Sequence, residues 1–201
     1  FAGKPLEQLA GDPRAMDLGR SIFVNTCAAC HGSTAQGAPG YPNLTDDVWN
    51  WGGEPERILE TVLDGRQGIM PPLGSVLAGI GGDVAVTQTA AYVRALRSPD
   101  LEQTLSTDYM AARGEQHFQG LCVACHGVDG KGNQALGAPN LTARNTLYPN
   151  TLESIRQTIN EGRHGVMPAH RELLGETRSR LVAAYVWSLS NKPAADTTAR
   201  Q

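Results

Sequence analysis

The pentapeptide Cys-x-x-Cys-His occurs twice in this chain, and no other feature limits the possible folds as strongly. Two thiols at this spacing can form thioethers with the two vinyl groups of one porphyrin, and the adjacent histidine can then bind the iron. All four cysteines of the 201-residue chain lie in the two copies. The sequence therefore predicts two covalently bound haems c, the first held by Cys27, Cys30 and His31 and the second by Cys122, Cys125 and His126.

Two other kinds of site also use paired cysteines. A zinc site can be built from two Cys-x-x-Cys pairs, and a thioredoxin-like redox disulfide needs one pair. Neither kind of site explains the histidine after each pair. Neither explains why a Met-Pro dipeptide follows each of these histidines at a similar distance. Met70-Pro71 follows His31 by 39 residues, and Met167-Pro168 follows His126 by 41 residues. A methionine thioether is a suitable sixth ligand for haem iron, so the haem interpretation is preferred.

The sequence contains an internal repeat, in which one unit of about 95 residues occurs twice. Gly19, Phe23 and the first Cys-x-x-Cys-His string recur 95 residues later, Pro42–Thr45 recurs 97 residues later, and Tyr92-Val93 recurs 93 residues later. This repeat predicts a first domain over 1–98, a linker over 99–108, a second domain over 109–190 and a C-terminal tail over 191–201.

Each half is predicted to contain three main helices, which makes the fold all-α. The first helix ends at the cysteines, and the third carries apolar residues at the i, i+3, i+4, i+7 spacing around Tyr92 or Tyr185. The second is predicted over Glu54–Asp64 and Leu152–Glu161, because a glycine follows each segment at the position of a helix stop. We expect a few helices wrapped around one haem in each half.

The sixth iron ligand of the first half can be argued by elimination. His31 is the only histidine before the predicted linker, so a second histidine ligand is not available from the same half. Met16 lies upstream of the motif, where packing is the simpler role, whereas Met70 lies in a proline-rich loop that can aim its sulfur. We therefore predict that Met70 binds the first iron.

Met167 is the corresponding prediction for the second iron. His164 and His170 lie within three residues of it and compete for this role. His117 has no histidine counterpart in the first half and is expected at the surface.

Further residues are candidates for the surroundings of the haems. Arg66 and Arg163 precede the two methionine loops, and each either pairs with a haem propionate or is a solvated arginine at a helix C-terminus. Trp49 and Trp51 are predicted to wall the first haem.

Composition and charge exclude some classes of partner. The net charge is −3, and no basic stripe that would suit nucleic acid is present. No apolar run approaches the roughly 18 residues of a membrane span. The chain starts at Phe1 rather than Met, so we expect a processed or truncated chain. Proteins with covalently attached haem c acquire it outside the cytoplasmic membrane, so we expect a soluble chain on the periplasmic side of a bacterial inner membrane. Any membrane contact is expected through a missing N-terminal anchor.

The two halves resemble class I cytochromes c, and the chain as a whole resembles the di-haem subunit III of cbb3-type cytochrome c oxidases. The segments that carry the resemblance include Trp49–Gly53, Gly65–Pro71, Gly137–Thr142 and Ala184–Ser190. The second half departs from the pattern at Thr146–Asn150, where the Trp-x-Trp-Gly-Gly motif is replaced.

The resemblance implies several further assignments. Class I cytochromes c use a proline carbonyl to orient the proximal histidine, which gives Pro42 and Pro139 this role, although each proline can equally stiffen a turn. It also implies an electron relay from a cytochrome c donor to the mono-haem and catalytic subunits of an oxidase, so that the chain itself is not an enzyme. A free-standing periplasmic di-haem carrier and a di-haem peroxidase are the alternatives.

Overall fold

A computed structural model describes residue 1 and residues 3–191 of the chain, and it confirms the all-α class. None of the helices in this part is long and apolar enough to cross a membrane. The elements of the described residues, in chain order, are α1 (Leu6–Ala10), α2 (Pro13–Thr26), α3 (Ala28–His31), α4 (Pro55–Asp64), β1 (Arg66–Met70), α5 (Gly74–Gly81), α6 (Ala85–Ala95), α7 (Leu101–Thr107), α8 (Tyr109–Leu121), α9 (Val123–His126), α10 (Leu152–Glu161), β2 (Arg163–Met167) and α11 (Arg171–Ser190).

The chain divides into two compact units that differ from the predicted domains 1–98 and 109–190. Unit 1 consists of Phe1–Arg66 together with the chain from Val166 onwards, and unit 2 consists of Gln67–Gly165. The physical reason is helix packing, since α11 packs on α2 and α4 while α6 packs on α8 and α10. Each unit therefore combines a Cys-x-x-Cys-His segment from one sequence repeat with the last helix of the other.

Unit 1 is organised around the close crossing of α2 and α11. Gly19 makes the crossing possible, because a Cβ atom there would lie 2.5 Å from the carbonyl oxygen of Leu181. One turn later, the ring of Phe23 meets the ring of Tyr185 with 5.6 Å between centroids. The buried core of this unit also takes residues from α1 and α4, namely Leu6, Leu9, Ile58 and Val62.

Unit 2 repeats this crossing with α8 and α6. A Cβ atom on Gly114 would collide with the backbone oxygen of Gln88, and the rings of Phe118 and Tyr92 lie 5.1 Å apart between centroids. Leu77, Val86, Ala90 and Ile159 form a neighbouring cluster within the same unit.

The second helix of each repeat forms where the sequence predicts it. α4 begins at Pro55, a residue suited to the first helical turn, and α10 begins after Thr151, whose hydroxyl accepts from the Ser154 N–H at 3.1 Å. Both end at a glycine with positive φ, Gly65 at 70° and Gly162 at 72°, because a residue with a Cβ atom is strained in this conformation.

The structure of three segments was not fully predicted from the sequence. The residues before each Met-Pro, predicted as loops, form β1 and β2, which pair as a two-stranded sheet. The predicted linker 99–108 contains helix α7, which is capped by the Asp100 carboxylate and packs Leu101 and Leu105 on the core of unit 2. Of the predicted tail, residue 191 ends α11, and 192–201 lie outside the described residues.

The crossing of α8 and α6 can be tested by adding one methyl group. Gly114→Ala places a Cβ atom against backbone, so we expect a loss of about 1–3 kcal/mol in the free energy of unfolding, measured by chemical denaturation. Gly120→Ala in the same helix is the matched control, because that position is open and alanine favours a helix by up to about 1 kcal/mol. Equal effects at the two positions would contradict the crossing.

Candidate functional site

The first Cys-x-x-Cys-His string forms the end of α2 and the short helix α3. Cys27 ends α2 through its N–H bond to the Phe23 carbonyl, and Cys30 lies about one turn further along. His31 is buried, with Nδ1 at 3.1 Å from the carbonyl oxygen of Pro42. A carbonyl oxygen only accepts, so Nδ1 carries the proton and the Nε2 lone pair is free for a metal ion.

The second string has the same geometry. Cys122 ends α8 through a bond to the Phe118 carbonyl, and His126 is buried with Nδ1 at 3.2 Å from the carbonyl oxygen of Pro139. Both prolines therefore make the hydrogen bond for which the sequence proposed them.

Burial determines the protonation of both histidines. The pKa of His31 is lowered mainly by burial, with a smaller lowering from His170, while the bond to Pro42 opposes the shift. The pKa of His126 is lowered by burial against the opposing bond to Pro139. Both rings are therefore neutral near pH 7, which is the form that binds a metal ion.

The thiols are not set up for redox chemistry. Burial, reinforced by the charge of the second cysteine, raises the pKa of Cys27 to about 11 and that of Cys122 to about 11. A redox-active Cys-x-x-Cys pair needs the opposite shift, because the thiolate is the nucleophile. The raised pKa values of Cys27 and Cys122 thus disfavour disulfide exchange at the two pairs.

The methionines lie in the units opposite to their repeats. Met167 belongs to unit 1, which contains His31, and Met70 belongs to unit 2, which contains His126. The predicted pairs, Met70 with the first iron and Met167 with the second, would each join residues of different units.

The remaining histidines have distinct surroundings. His164 is exposed, and its Nε2 accepts from the Gln67 amide at 2.7 Å. His170 lies in unit 1, and its Nδ1 is buried without a hydrogen-bond partner among the described residues. The expectation that His117 is a surface residue is wrong, because it is half-buried and donates from Nε2 to the Gln88 side chain at 3.0 Å.

Arg66 is held at the end of α4 by side chains of its own unit. Its guanidinium donates to the Thr61 hydroxyl and to the Glu60 carboxylate, each at 2.9 Å, and it lies 5.3 Å from the ring centroid of Trp51. These contacts hold Arg66 at the C-terminal end of α4, which is one of the two roles considered for it from the sequence. The face of the Trp51 ring makes a cation–π contact with the guanidinium.

Arg163 repeats this arrangement in unit 2. It donates to the Thr158 hydroxyl at 3.0 Å and to Gln157 at 3.2 Å, and its guanidinium lies 4.2 Å from the ring centroid of Tyr148. Sequence reasoning missed Tyr148, although the repeat offset of 97 residues places it opposite Trp51.

A second arginine of unit 2 was also missed. Arg97 follows α6, donates from Nε to the Leu141 carbonyl at 3.0 Å, and has its buried Nη1 without a hydrogen-bond partner among the described residues. Leu141 lies two residues after Pro139, so Arg97 contacts the loop whose carbonyl orients His126. A carboxylate such as a haem propionate would satisfy it, which is one respect in which the residues present fit a haem.

The two tryptophans predicted to wall the first haem, Trp49 and Trp51, have different surroundings in unit 1. Trp49 packs on the unit 1 core, and its ring covers the position that a Cβ atom of Gly53 would need. Thr146 takes the equivalent place in the second repeat, so the aromatic pair of unit 1 is replaced there by Tyr148 alone.

Comparisons with known proteins agree with the repeat. The family model described as "Cytochrome C oxidase, cbb3-type, subunit III" matches residues 14–93 and 110–186. The chain is 40% identical over 190 residues to the cbb3-type cytochrome c oxidase subunit CcoP of Rubrivivax gelatinosus. It is 37% identical over 197 residues to the subunit FixP of Sinorhizobium medicae, and 41% identical over 199 residues to that of a Bradyrhizobium species.

The comparisons cover nearly all of this chain but not all of the relatives. The alignments include 94%, 92% and 94% of this chain, in the same order. The chain spans 60% of the length of the Rubrivivax protein and 65% of that of the Sinorhizobium protein.

Arg57 and Arg66 of unit 1 both donate to the Glu60 carboxylate, which leads to a prediction about its pKa. Hydrogen bonds from Arg66 and then Arg57 lower the pKa of Glu60 to about 2, below the usual value of about 4.3. The lowered pKa means that the stabilisation by this carboxylate is present above about pH 4.3 and is lost as the pH falls through about 2. Titration of the carboxyl ¹³C shift should show Arg66→Gln raising this pKa more than Arg57→Gln does, and the reverse order would contradict the assignment.

Proposed function

Because this chain belongs to the family of subunit III of cbb3-type cytochrome c oxidases, we propose that it carries electrons through two covalently bound haems c towards the oxygen-reducing part of such an oxidase. One haem is attached at Cys27 and Cys30, the other at Cys122 and Cys125. When bound, each haem supplies an iron centre that takes up and gives back one electron.

The observation that carries this proposal is the repeated donor set. In each unit a thiol pair precedes a buried, neutral histidine whose Nδ1–H is held by a proline carbonyl, 3.1 Å for His31 and 3.2 Å for His126. This bond fixes the ring orientation and leaves Nε2 as the ligand atom. A redox-disulfide site would not need the histidine to be oriented in this way.

Methionine as the second axial ligand separates a carrier from an enzyme. Each unit contains one methionine from a Met-Pro motif, Met167 in unit 1 and Met70 in unit 2. A thioether ligand raises the reduction potential and occupies the last coordination position of the iron. No position is then open to oxygen or peroxide, so we assign the chemistry of oxygen reduction to another subunit.

The surrounding residues adjust the charge near each haem. Arg97 in unit 2 has a buried, unpaired Nη1 that suits a propionate, and Arg66 and Arg163 are held over aromatic rings at the ends of α4 and α10. Arg66 is paired with Glu60, whereas Arg163 faces the neutral Gln157. The two sites therefore differ by one negative charge at matched positions.

The place of the chain in a relay follows from the family. We propose a cytochrome c as the electron donor, and the mono-haem and catalytic subunits of the oxidase as acceptors. The haem c sites would lie on the periplasmic side of the bacterial inner membrane, where haem c is attached.

Haem content tests the proposal directly. In a host with the haem-attachment machinery, the wild-type chain should carry two haems and take up two electrons in a reductive titration. Cys27→Ser with Cys30→Ser should leave one haem, and so should Cys122→Ser with Cys125→Ser. Ala28→Val is the matched control, because the second motif has Val123 at this position and binding should be unchanged.

A kinetic experiment tests the direction of transfer. Ferrous cytochrome c should reduce the di-haem chain, which should then be reoxidised by a cbb3 oxidase that lacks its own subunit III. Rapid binding of carbon monoxide to one ferrous haem would contradict closed coordination and favour a peroxidase. Reduction without reoxidation by the oxidase would favour a free-standing carrier.

A further inference from the structure

We propose that a basic electron-donor protein docks on unit 1 by placing a lysine or arginine side chain in an open cavity, the indole cavity. This cavity has a volume of about 350 Å³ and is lined by residues of unit 1, among them two indole rings, Trp49 and Trp187, and two carboxylates, Asp47 and Glu54. The proposal rests on the proposed function, which requires an electron donor but does not say where the donor binds.

Local contacts hold the first wall of the indole cavity in place. The Asp46 carboxylate accepts from the Val48 N–H at 3.0 Å, which forms a turn just before Trp49. A Cβ atom on Gly53 would lie 2.4 Å from the Trp49 ring, so the indole rests directly on the glycine backbone. A side chain at position 53 would displace the ring from this place.

The second wall is the C-terminal end of α11. Trp187 is half-buried against the unit 1 core and also lines the cavity. The Asn191 N–H and the Ser190 hydroxyl both donate to the Trp187 carbonyl, at 3.1 Å and 3.4 Å. These groups of the helix end are therefore occupied within the chain, and the two carboxylates are the charged groups of the described lining.

The carboxylates of Asp47 and Glu54 make the indole cavity negative. Both residues are exposed, and neither forms an ion pair with another residue in the described part of the chain. The segment 46–56 contains four acidic residues and no lysine or arginine. An indole face attracts a cation and a carboxylate pairs with one, so both features favour a positive charge on an apolar stem. Lysine and arginine side chains have this chemistry.

The corresponding positions of unit 2 carry the opposite charge. The repeat offsets of 97 and 93 residues pair Asp47 with Arg144 and Trp187 with Arg94. Both arginines belong to unit 2 and are exposed, so unit 2 repels a cation at these positions. The indole cavity is therefore a property of unit 1 and not of the repeated fold, as expected for a site that serves one partner.

The indole cavity adjoins the loop that orients His31. His31 donates from Nδ1 to the Pro42 carbonyl at 3.1 Å, and the same loop continues to Asp47. The cysteines and His31 do not belong to the described lining, so the cavity is separate from the residues that attach a haem. Five residues of chain span at most about 18 Å, which keeps a donor at Asp47 near the haem proposed for this unit.

Reduction of the oxidised di-haem chain by a lysine-rich ferrous cytochrome c measures docking. Asp47→Asn with Glu54→Gln should lower the second-order rate constant about tenfold at low ionic strength, the low end of electrostatic steering. Added salt should shrink the difference, because it screens exposed charges. Glu7→Gln with Glu102→Gln is the matched control, since these carboxylates are exposed and lie outside the cavity. Equal losses in the two double variants would overturn the site, because net charge alone would then explain them.

The indole can be tested separately from the charge. Trp187→Leu keeps both carboxylates and removes one aromatic face, so saturation of the observed rate should show donor binding weakened about two- to fivefold, as for an exposed cation–π contact. Trp187→Arg copies the residue of unit 2 and should weaken binding further through repulsion. Unchanged binding in both variants would contradict insertion of a cation beside the indoles.

Cross-linking of the wild-type di-haem chain answers the question without a substitution. A water-soluble carbodiimide joins carboxylates to amines that are in contact. Peptide mapping of the complex with the same cytochrome c should therefore find Asp47 or Glu54 linked to a donor lysine. Links spread over carboxylates outside the indole cavity, or links between two copies of this chain, would overturn the docking site.

Failure of the docking site and failure of the proposed function give different results. If the cytochrome c reduces the wild-type chain and all variants at one rate, the docking site is wrong, while the two haems and their electron transfer stand. If it does not reduce the wild-type di-haem chain at all, the proposed function fails together with the docking site.

Discussion

The close approach of two helices at a glycine is the contact on which each half of this protein depends. Gly19 lets α2 meet the backbone of Leu181, and Gly114 lets α8 meet the backbone of Gln88. The Cys-x-x-Cys-His motif follows one or two turns later on the same helix, so this contact places the thiols and the histidine relative to the rest of the unit. A side chain at either glycine would push the helices apart and move the whole donor set.

A second constraint, the proline carbonyl, orients each buried histidine so that Nε2 is available to a metal ion. Burial alone keeps His31 and His126 neutral but leaves open which ring nitrogen carries the proton. The carbonyl oxygens of Pro42 and Pro139 hold that proton on Nδ1 and direct Nε2 away from the loop. The raised pKa values of the half-buried Cys27 and Cys122 disfavour thiol redox chemistry at these sites.

Much of this could be predicted because the signals are local. The motifs, the capped helices α4 and α10 and the proline contacts each involve residues close together in sequence. The site residues that the sequence did not identify share one cause, since each acts through a partner further away in the chain than the proline contacts. Tyr148 matters because Arg163 lies over it, Arg97 because it reaches Leu141, and His117 because Gln88 is buried beside it.

The sequence by itself determined that two Cys-x-x-Cys-His motifs exist, each with a Met-Pro segment about 40 residues downstream. It could not determine which last helix packs in which unit. Both repeats carry the same glycine, phenylalanine, tyrosine and Met-Pro, so the main contacts can form equally well within a repeat or between repeats. Only the tertiary structure decided this, because the residues that break the symmetry, such as Gln88 and His117, act through a contact that exists only after the chain has folded.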